Sequence, residues 1–340
     1  MATHIQTPTA FGKTPNNEDV QIIMIEGGGL TANIMTYGAS IQDLRLTDHP
    51  APLILGFNDF SPYLTEGRYF GATVGRFANR ISNGQILIDG TPYQLDQNSD
   101  EMHTLHGGHL GLSQQVWTIA DLGKSHVTLT LQDPHLAMGF PGNCEHICTY
   151  VMKENGTLEV TYTTTTDATT VAGLAHHSYF ILDDTGDCLN HTVNIDADHY
   201  LPVDEHLIPT GQIRSVEATA YDFRKPKRLG TDLTGSVIYD HNFCLSGQRQ
   251  GCRKIAQVTS EYSGISLSVS TTEPGLQFYA AHALSTKNNG LIGKPYQAHS
   301  GFCLETQIWP DAPNRPDFPN SILRAGETIK QITQYQFEKT

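Results

Sequence analysis

Residues 150–162 read Tyr-Val-Met-Lys-Glu-Asn-Gly-Thr-Leu-Glu-Val-Thr-Tyr. Two stretches of period-two alternation flank Asn155-Gly156, a pair suited to a tight hairpin because both turn positions need positive φ. The same pattern recurs along the chain. A second hairpin is expected at Ser263-Gly264, which leads into Ile265-Ser-Leu-Ser-Val-Ser270, with branched or large residues on one face and serines on the other. A third is expected at Asp89-Gly90. Further strands are expected over 20–25, 31–37, 127–131, 193–196, 277–283, 301–305 and 329–337, separated by turn clusters. No 3.6-residue periodicity is sustained anywhere and no internal repeat is found. The pattern predicts an all-β chain. No Pro-, Gly- or Ser-rich linker separates independent halves, so one large antiparallel β-sandwich over residues 1–340 is expected as a single domain.

Composition narrows the function. With 340 residues, 38% hydrophobic and 16% charged, the chain can bury a sizeable core and falls outside the disordered class. Lys+Arg number 21 against 35 Asp+Glu, a net charge of −14, which opposes the cationic footprint that nucleic acid or an anionic membrane requires. Neither partner is expected, and oligomeric state is not readable. The first twenty residues have neither a basic start nor an apolar run, and no stretch is long and apolar enough to span a bilayer. Six cysteines, at 144, 148, 188, 244, 252 and 303, form no CxxC pair, and are read as reduced thiols in a cytoplasmic protein. The sequons at Asn155 and Asn190 are then ordinary turn residues.

Several chemistries can be weighed against the residues. His103, His106 and His109 are spaced by three, as zinc ligands on a helix can be, but Gly107-Gly108 breaks any helix and no carboxylate or cysteine completes a ligand spacing. No metal is expected. His106-Gly-Gly resembles an oxyanion-hole loop, yet the chain has no G-x-S-x-G elbow to supply a nucleophile. Gly27-Gly-Gly29 and Gly71-Ala-Thr-Val-Gly75-Arg76 lack the features of phosphate-binding loops, so no nucleotide cofactor is expected, and no cofactor of any kind is needed. What remains are polar islands in apolar or glycine-rich surroundings: Asn79-Arg80, His106, His177, Asp240, Gln277 and Glu305. Each singly has a structural explanation, as an ion-pair, core or turn residue. Glu305 is the hardest to explain in that way. Gly301-Phe-Cys-Leu-Glu305 reads as a buried strand ending on a carboxylate, a placement that is costly without a partner or a task.

Those islands lie within eight motifs that follow in order. They are Gly75-Arg-Phe-Ala-Asn-Arg-Ile81, Leu105-His-Gly-Gly108, His177-Ser-Tyr-Phe180, Tyr200-Leu-Pro-Val-Asp-Glu205, Ile208-Pro-Thr-Gly211, Asp240-His-Asn-Phe-Cys244, Pro274-Gly-Leu-Gln-Phe-Tyr279 and Gly301-Phe-Cys-Leu-Glu-Thr-Gln307 with Trp309-Pro-Asp311. Together they make the chain, from about residue 31 to its last strand, resemble the aldose 1-epimerases, or galactose mutarotases.

The resemblance implies a galactose mutarotase-like β-sandwich that interconverts the α and β anomers of a free aldose such as D-galactose or D-glucose. Opening a cyclic hemiacetal needs one base at the C1 hydroxyl and one acid at the ring oxygen. By resemblance Glu305 is the base and His177 the acid, and the two exchange roles on reclosure. Arg80, Asn79, His106, Asp240 and Gln277 match sugar-binding positions. The chain departs from the family pattern at His176, which precedes the acid, and at Ile181, where Phe180-Ile181-Leu182 replaces Phe-Asn-Leu; both changes are expected to bear on His177. Met102-His103 is expected to retune sugar preference. Three other readings stand beside this one: a glycosidase using Asp240 and Glu305, an epimerase of hexose phosphates with Arg76 and Arg80 at the phosphate, and a non-catalytic sugar-binding module.

Overall fold

A computed structural model of the chain describes residues 7–233 and 237–339. The Asn155-Gly156 turn anchors it. Cys144–Lys153 pairs with Thr157–Thr166 in unbroken antiparallel register from Cys144↔Thr166 to Lys153↔Thr157. Asn155 and Gly156 take the positive φ values, 59° and 65°, that the turn requires. Only glycine fits at 156, since a Cβ there would lie 2.2 Å from the Phe337 carbonyl oxygen, whose own residue donates its N–H to Gly156 O at 2.8 Å.

This hairpin sits in a nine-stranded sheet whose order is Thr118–Leu122, His126–Asp133, Cys144–Lys153, Thr157–Thr166, Thr328–Lys339, Ile265–Thr271, Arg253–Thr259, Thr192–Ile195 and Lys227–Arg228. The C-terminal strand lies mid-sheet, paired with Thr157–Thr166 on one side and Ile265–Thr271 on the other. A six-stranded sheet faces it, in the order Tyr179–Phe180, Phe302–Gln307, Gly275–Tyr279, Asp240–Cys244, His199–Tyr200 and Arg214–Ser215. A four-stranded meander, Thr9–Lys13 through Ser40–Leu46, closes one flank. The helices among the described residues are short 3₁₀ turns, so the all-β reading holds.

Alternation decides what each face of the six-stranded sheet does. Leu276, Phe278, Phe302 and Leu304 join Leu158, Val160, Val269, Tyr335 and Phe337 of the nine-stranded sheet in one buried cluster. Phe180 and Tyr335 bring their ring centroids to 5.0 Å across the interface. Asp240, Gln277 and Glu305 occupy the other face, backed by this packed layer.

The expected strands all form with shifted limits, and three of the shifts have a physical reason or bear on the site. The strand expected over 277–283 is Gly275–Tyr279: pairing stops where the backbone turns through Ala281 (φ 49°), which puts His282 in a loop. The strand expected over 31–37 is Leu30–Met35, ending before the turn at Gly38 and Ala39, both at positive φ. The strand expected over 301–305 runs Phe302–Gln307, so Glu305 lies inside it and not at its end.

Candidate active site

Two adjacent backbone segments and three neighbouring strands converge on one cavity of about 230 Å³, below the about 300–1,000 Å³ of drug-sized pockets and suited to a monosaccharide. The pairing Arg80↔Leu105 brings Asn79-Arg80 beside His106. His177 arrives on Ala175–His177, held opposite Ala72. Asp240, Gln277 and Glu305 lie on neighbouring strands, with Gln277 directly opposite Glu305. Asn79, Arg80, His106, His177, Asp240 and Glu305 all line the cavity. Gln277 does not; it stands behind Asp240 and donates from Nε2 to Oδ1 at 2.7 Å.

The central contact is between His177 Nε2 and Glu305 Oε1, 3.6 Å apart with both side chains almost wholly buried. The His177 ring is packed against Tyr179 (centroids 5.2 Å, 29° between planes) and Tyr69 (5.7 Å, 23°), with His106 edge-on at 5.1 Å. His106 has a fixed tautomer. Its Nδ1 accepts the backbone N–H of Asn79 at 3.1 Å, so the proton of the neutral ring must sit on Nε2. Burial, then His177 and Arg80, hold His106 well below the ordinary histidine range. It is therefore a neutral donor. Asn79 and His106 both adopt left-handed backbone (φ 62° and 51°), and Asn79 Oδ1 accepts the Arg80 N–H at 2.8 Å.

Burial acts on the two proton-transfer candidates in opposite senses. It raises Glu305 well above the ordinary carboxylate range; the Asp240 charge adds to this and Arg80 opposes it. It lowers His177 to about 4. Burial thus favours the neutral form of each group, a protonated glutamate and an unprotonated imidazole. Burial also raises Asp240, with Arg80, the Gln277 hydrogen bond and His282 acting against it.

Ligand atoms of His106, His177 and Glu305 lie within 4.8 Å of one another, a spacing a metal could span. The donor chemistry does not fit. With His106 Nδ1 occupied by the Asn79 N–H, Nε2 carries hydrogen and offers no lone pair to an ion. Nor do the three spaced histidines converge: His103 Nδ1 accepts the Asn83 N–H at 3.0 Å, and His109 pairs with Asp96 at 2.8 Å.

Other expectations are corrected here. Arg76 lies outside the cavity. Its guanidinium, 1% exposed, binds Asp133 Oδ2 at 2.7 Å and the Pro141 and Gly142 carbonyls at 2.7 and 3.1 Å, where it ties loops together. His176 faces the core and not the acid: it shares a 2.7 Å hydrogen bond with Ser178 Oγ and packs near Tyr150 and Tyr335. Burial and His177 lower it to about 3, so it stays neutral. Ile181 lines a different, mostly apolar pocket with Leu55 and Tyr296. His103 is absent from the cavity wall.

Tyr69, Leu105, Tyr179, Leu207, Tyr279, His282 and Ala283 complete the wall, and none of them is named as a site residue in the sequence reading. Tyr179 had a signal, since it follows His177 by two residues in an extended segment and so shares its face. Tyr69, Leu207 and His282 reach the cavity on loops, which leave no periodicity.

The aldose 1-epimerase family model matches residues 21–336, almost the whole chain. The chain belongs to the aldose 1-epimerase family. It is 41% identical over 341 residues to a galactose mutarotase of Rattus norvegicus, covering 97% of this chain and 98% of the relative. It is 32% identical over 337 residues to the aldose 1-epimerase of Escherichia coli, covering 95% and 96%. Among solved structures, an aldose epimerase homologue from C. elegans superposes with a TM-score of 0.88 at 30% identity, over 94% of this chain and 99% of that one. A galactose 1-epimerase from Lactobacillus acidophilus gives 0.85 at 28% identity, over 98% and 99%. The fold is thus the β-sandwich shared by these epimerases.

Proposed function

We propose that this aldose 1-epimerase interconverts the α and β anomers of free aldoses such as D-galactose and D-glucose, with Glu305 and His177 carrying the protons. The observation that carries the reading is the 3.6 Å approach of His177 Nε2 to Glu305 Oε1 in a buried, sugar-sized cavity. Ring opening removes the C1–OH proton to carboxylate Glu305 while His177 delivers its proton to the ring oxygen; the C1–O5 bond breaks and C1 becomes an aldehyde. Rotation about C1–C2 presents the other carbonyl face, and reclosure returns both protons. No proton is gained or lost over the cycle.

The opposite shifts of the two groups suit this chemistry. Charge must separate for the glutamate to act as base, and Arg80 and the sugar hydroxyls are the groups that favour the carboxylate. Neutral His106 offers Nε2–H to a sugar oxygen, Asp240 accepts from hydroxyls, and Asn79 and Arg80 complete the binding wall. Gln277 acts through Asp240, by fixing its carboxylate.

The partner is a small free sugar; no helix among the described residues is long and apolar enough to cross a membrane. We read residues 1–340 as a single domain, supported by one core cluster that draws on residues from Val20 to Phe337. A cytoplasmic setting is supported by six cysteines that are all unpaired.

Polarimetry of freshly dissolved α-D-galactose and α-D-glucose tests the reading. The expected result is a faster approach to an unchanged final rotation, lost in Glu305→Gln. Binding of either sugar without acceleration overturns catalysis in favour of a binding module.

A further inference from the structure

One strand grips both nitrogens of the His177 imidazole. Phe302–Gln307 places Cys303 and Glu305 on the same face, two residues apart. Glu305 Oε1 meets Nε2 at 3.6 Å, and Cys303 Sγ meets Nδ1 at the same distance, within hydrogen-bond reach for sulfur. Cys303 is fully buried, has no disulfide partner, and is held opposite Tyr179, whose ring stacks on His177.

We propose that Cys303 is a positioning residue for the anomerisation reaction: its sulfur accepts the Nδ1–H of His177, so that the Nε2 lone pair faces Glu305 and the sugar. The inference rests on the function assigned to the site above. Nδ1–H donates to sulfur, since an imidazole N–H is a better donor than a thiol, which leaves Nε2 as the unprotonated nitrogen facing Glu305 Oε1.

The choice of sulfur has a consequence for acidity. A carboxylate or carbonyl at Nδ1 would stabilise the imidazolium and raise the histidine, whereas a thiol is a weak acceptor that fixes the tautomer with little such stabilisation. The chain uses the other arrangement elsewhere: buried His146 and His191 stand 3.6 and 3.8 Å from Asp133 and Asp183, whose charges work against the lowering by burial. At His177 the facing groups are Cys303 and Glu305 from this strand, Tyr69 and His106 from the loops, His176 and Tyr179 from its own segment, and its own backbone, whose hydrogen bond works against the lowering by burial. Of these only Glu305 can carry negative charge near neutral pH, because burial pushes the Cys303 thiol and the Tyr69 and Tyr179 hydroxyls up. His177 is left a strong acid once protonated and an unprotonated Nε2 at rest.

The test is ¹⁵N NMR of imidazole-labelled protein, with the His177 signals assigned by their loss in His177→Gln. The expected wild-type spectrum near pH 7 shows a protonated Nδ1 and an unprotonated Nε2; a protonated Nε2 overturns the proposal without any Cys303 variant. In Cys303→Ser, a stronger acceptor, the His177 titration and the acid limb of kcat/KM should both move up by about one pH unit. In Cys303→Ala both should move down and the two tautomers should mix. An equal loss of rate in both variants, with titration and limb unmoved, would reduce Cys303 to packing and also overturn the proposal. Absence of anomer exchange in the wild type would instead strike the functional assignment and leave the tautomer measurement standing.

Discussion

Replacing Glu305 by Gln should make the protein a poor catalyst and a more stable fold at once. The side chain is 2% exposed, and burial is the main reason its carboxyl is raised above its ordinary value of 4.5. A carboxyl whose native value exceeds its unfolded value takes up a proton on folding. Its contribution is fully present below about pH 4.5 and is lost as pH rises through the native value, by about 1.4 kcal/mol for each unit of separation. Glutamine does not titrate, so the variant escapes that loss. Its amide nitrogen can take the position of Oε2, an oxygen that accepts no hydrogen bond from the protein, so no existing bond is broken. Wild type and variant should be nearly equal in stability at pH 4, and at pH 7 the variant should be ahead, by about 1.4 kcal/mol for each unit by which burial raises the carboxyl, with a correspondingly higher Tm. Turnover should fall by about 10²–10⁴, the range for loss of a general base. Urea melts at the two pH values, read beside polarimetry, make the comparison. A variant less stable than wild type at pH 7, or one keeping more than about a tenth of the turnover, would refute the account of Glu305 as a buried, functionally placed base.

The pH profile of kcat/KM should fall on the acid side near pH 4, as His177 takes a second proton, and on the alkaline side above the ordinary carboxylate range, as the pair loses its last one; an alkaline limb in the ordinary carboxylate range would contradict the burial effect on Glu305. Asp240→Ala should raise KM about tenfold or more, as expected for loss of charge-assisted hydrogen bonds worth about 1.5–3 kcal/mol, and it should draw the alkaline limb to lower pH by removing the charge that raises Glu305; steady-state polarimetry reads both. Arg76→Leu should destabilise the fold by about 3–5 kcal/mol by leaving Asp133 without its cation, while the folded fraction at low temperature keeps its KM. Gly156→Ala should cost more than about 1 kcal/mol in a urea melt, since its Cβ would meet the Phe337 carbonyl from a left-handed backbone.

How much of this was legible in the sequence depends on how each residue reaches its place. Alternation around Asn155-Gly156 and Asp89-Gly90 marks hairpins because a strand repeats every two residues and its turn demands positive φ. Those pairings are local and read directly. Glu305 stood out because a carboxylate in an apolar strand violates the burial rule, and the structure buries it as that violation implies. Arg76 and Gln277 stand off the cavity wall for different reasons: proximity to Arg80 in the chain does not say where the Arg76 guanidinium goes, whereas Gln277 shares the face of Glu305 and is held on Asp240. Arg76 leaves the cavity for Asp133, 57 residues away, and Gln277 is held by its hydrogen bond to Asp240 Oδ1. His282, Leu207 and Tyr69 lie on loops, whose course is set by tertiary contacts and not by a repeat.

Moving Arg76 out of the cavity also bears on which sugar the site takes. With Arg76 at the wall, two guanidinium groups would oppose two carboxylates and could hold a phosphate bidentately. With Arg76 on Asp133, Arg80 is the one guanidinium among the lining residues, and it acts on both Asp240 and Glu305. A phosphate dianion entering there would bring negative charge into a buried space already raising the values of both carboxyls. It would either displace Arg80 from them or force a further proton onto the pair, which removes the base. A neutral sugar does neither: its hydroxyls donate to Asp240 and Glu305 and accept from Arg80 and from the Nε2–H of His106. The electrostatics of this wall, with one guanidinium facing two carboxyls, therefore favour an uncharged aldose, and the free-sugar reading and the acid–base roles of Glu305 and His177 stand or fall together.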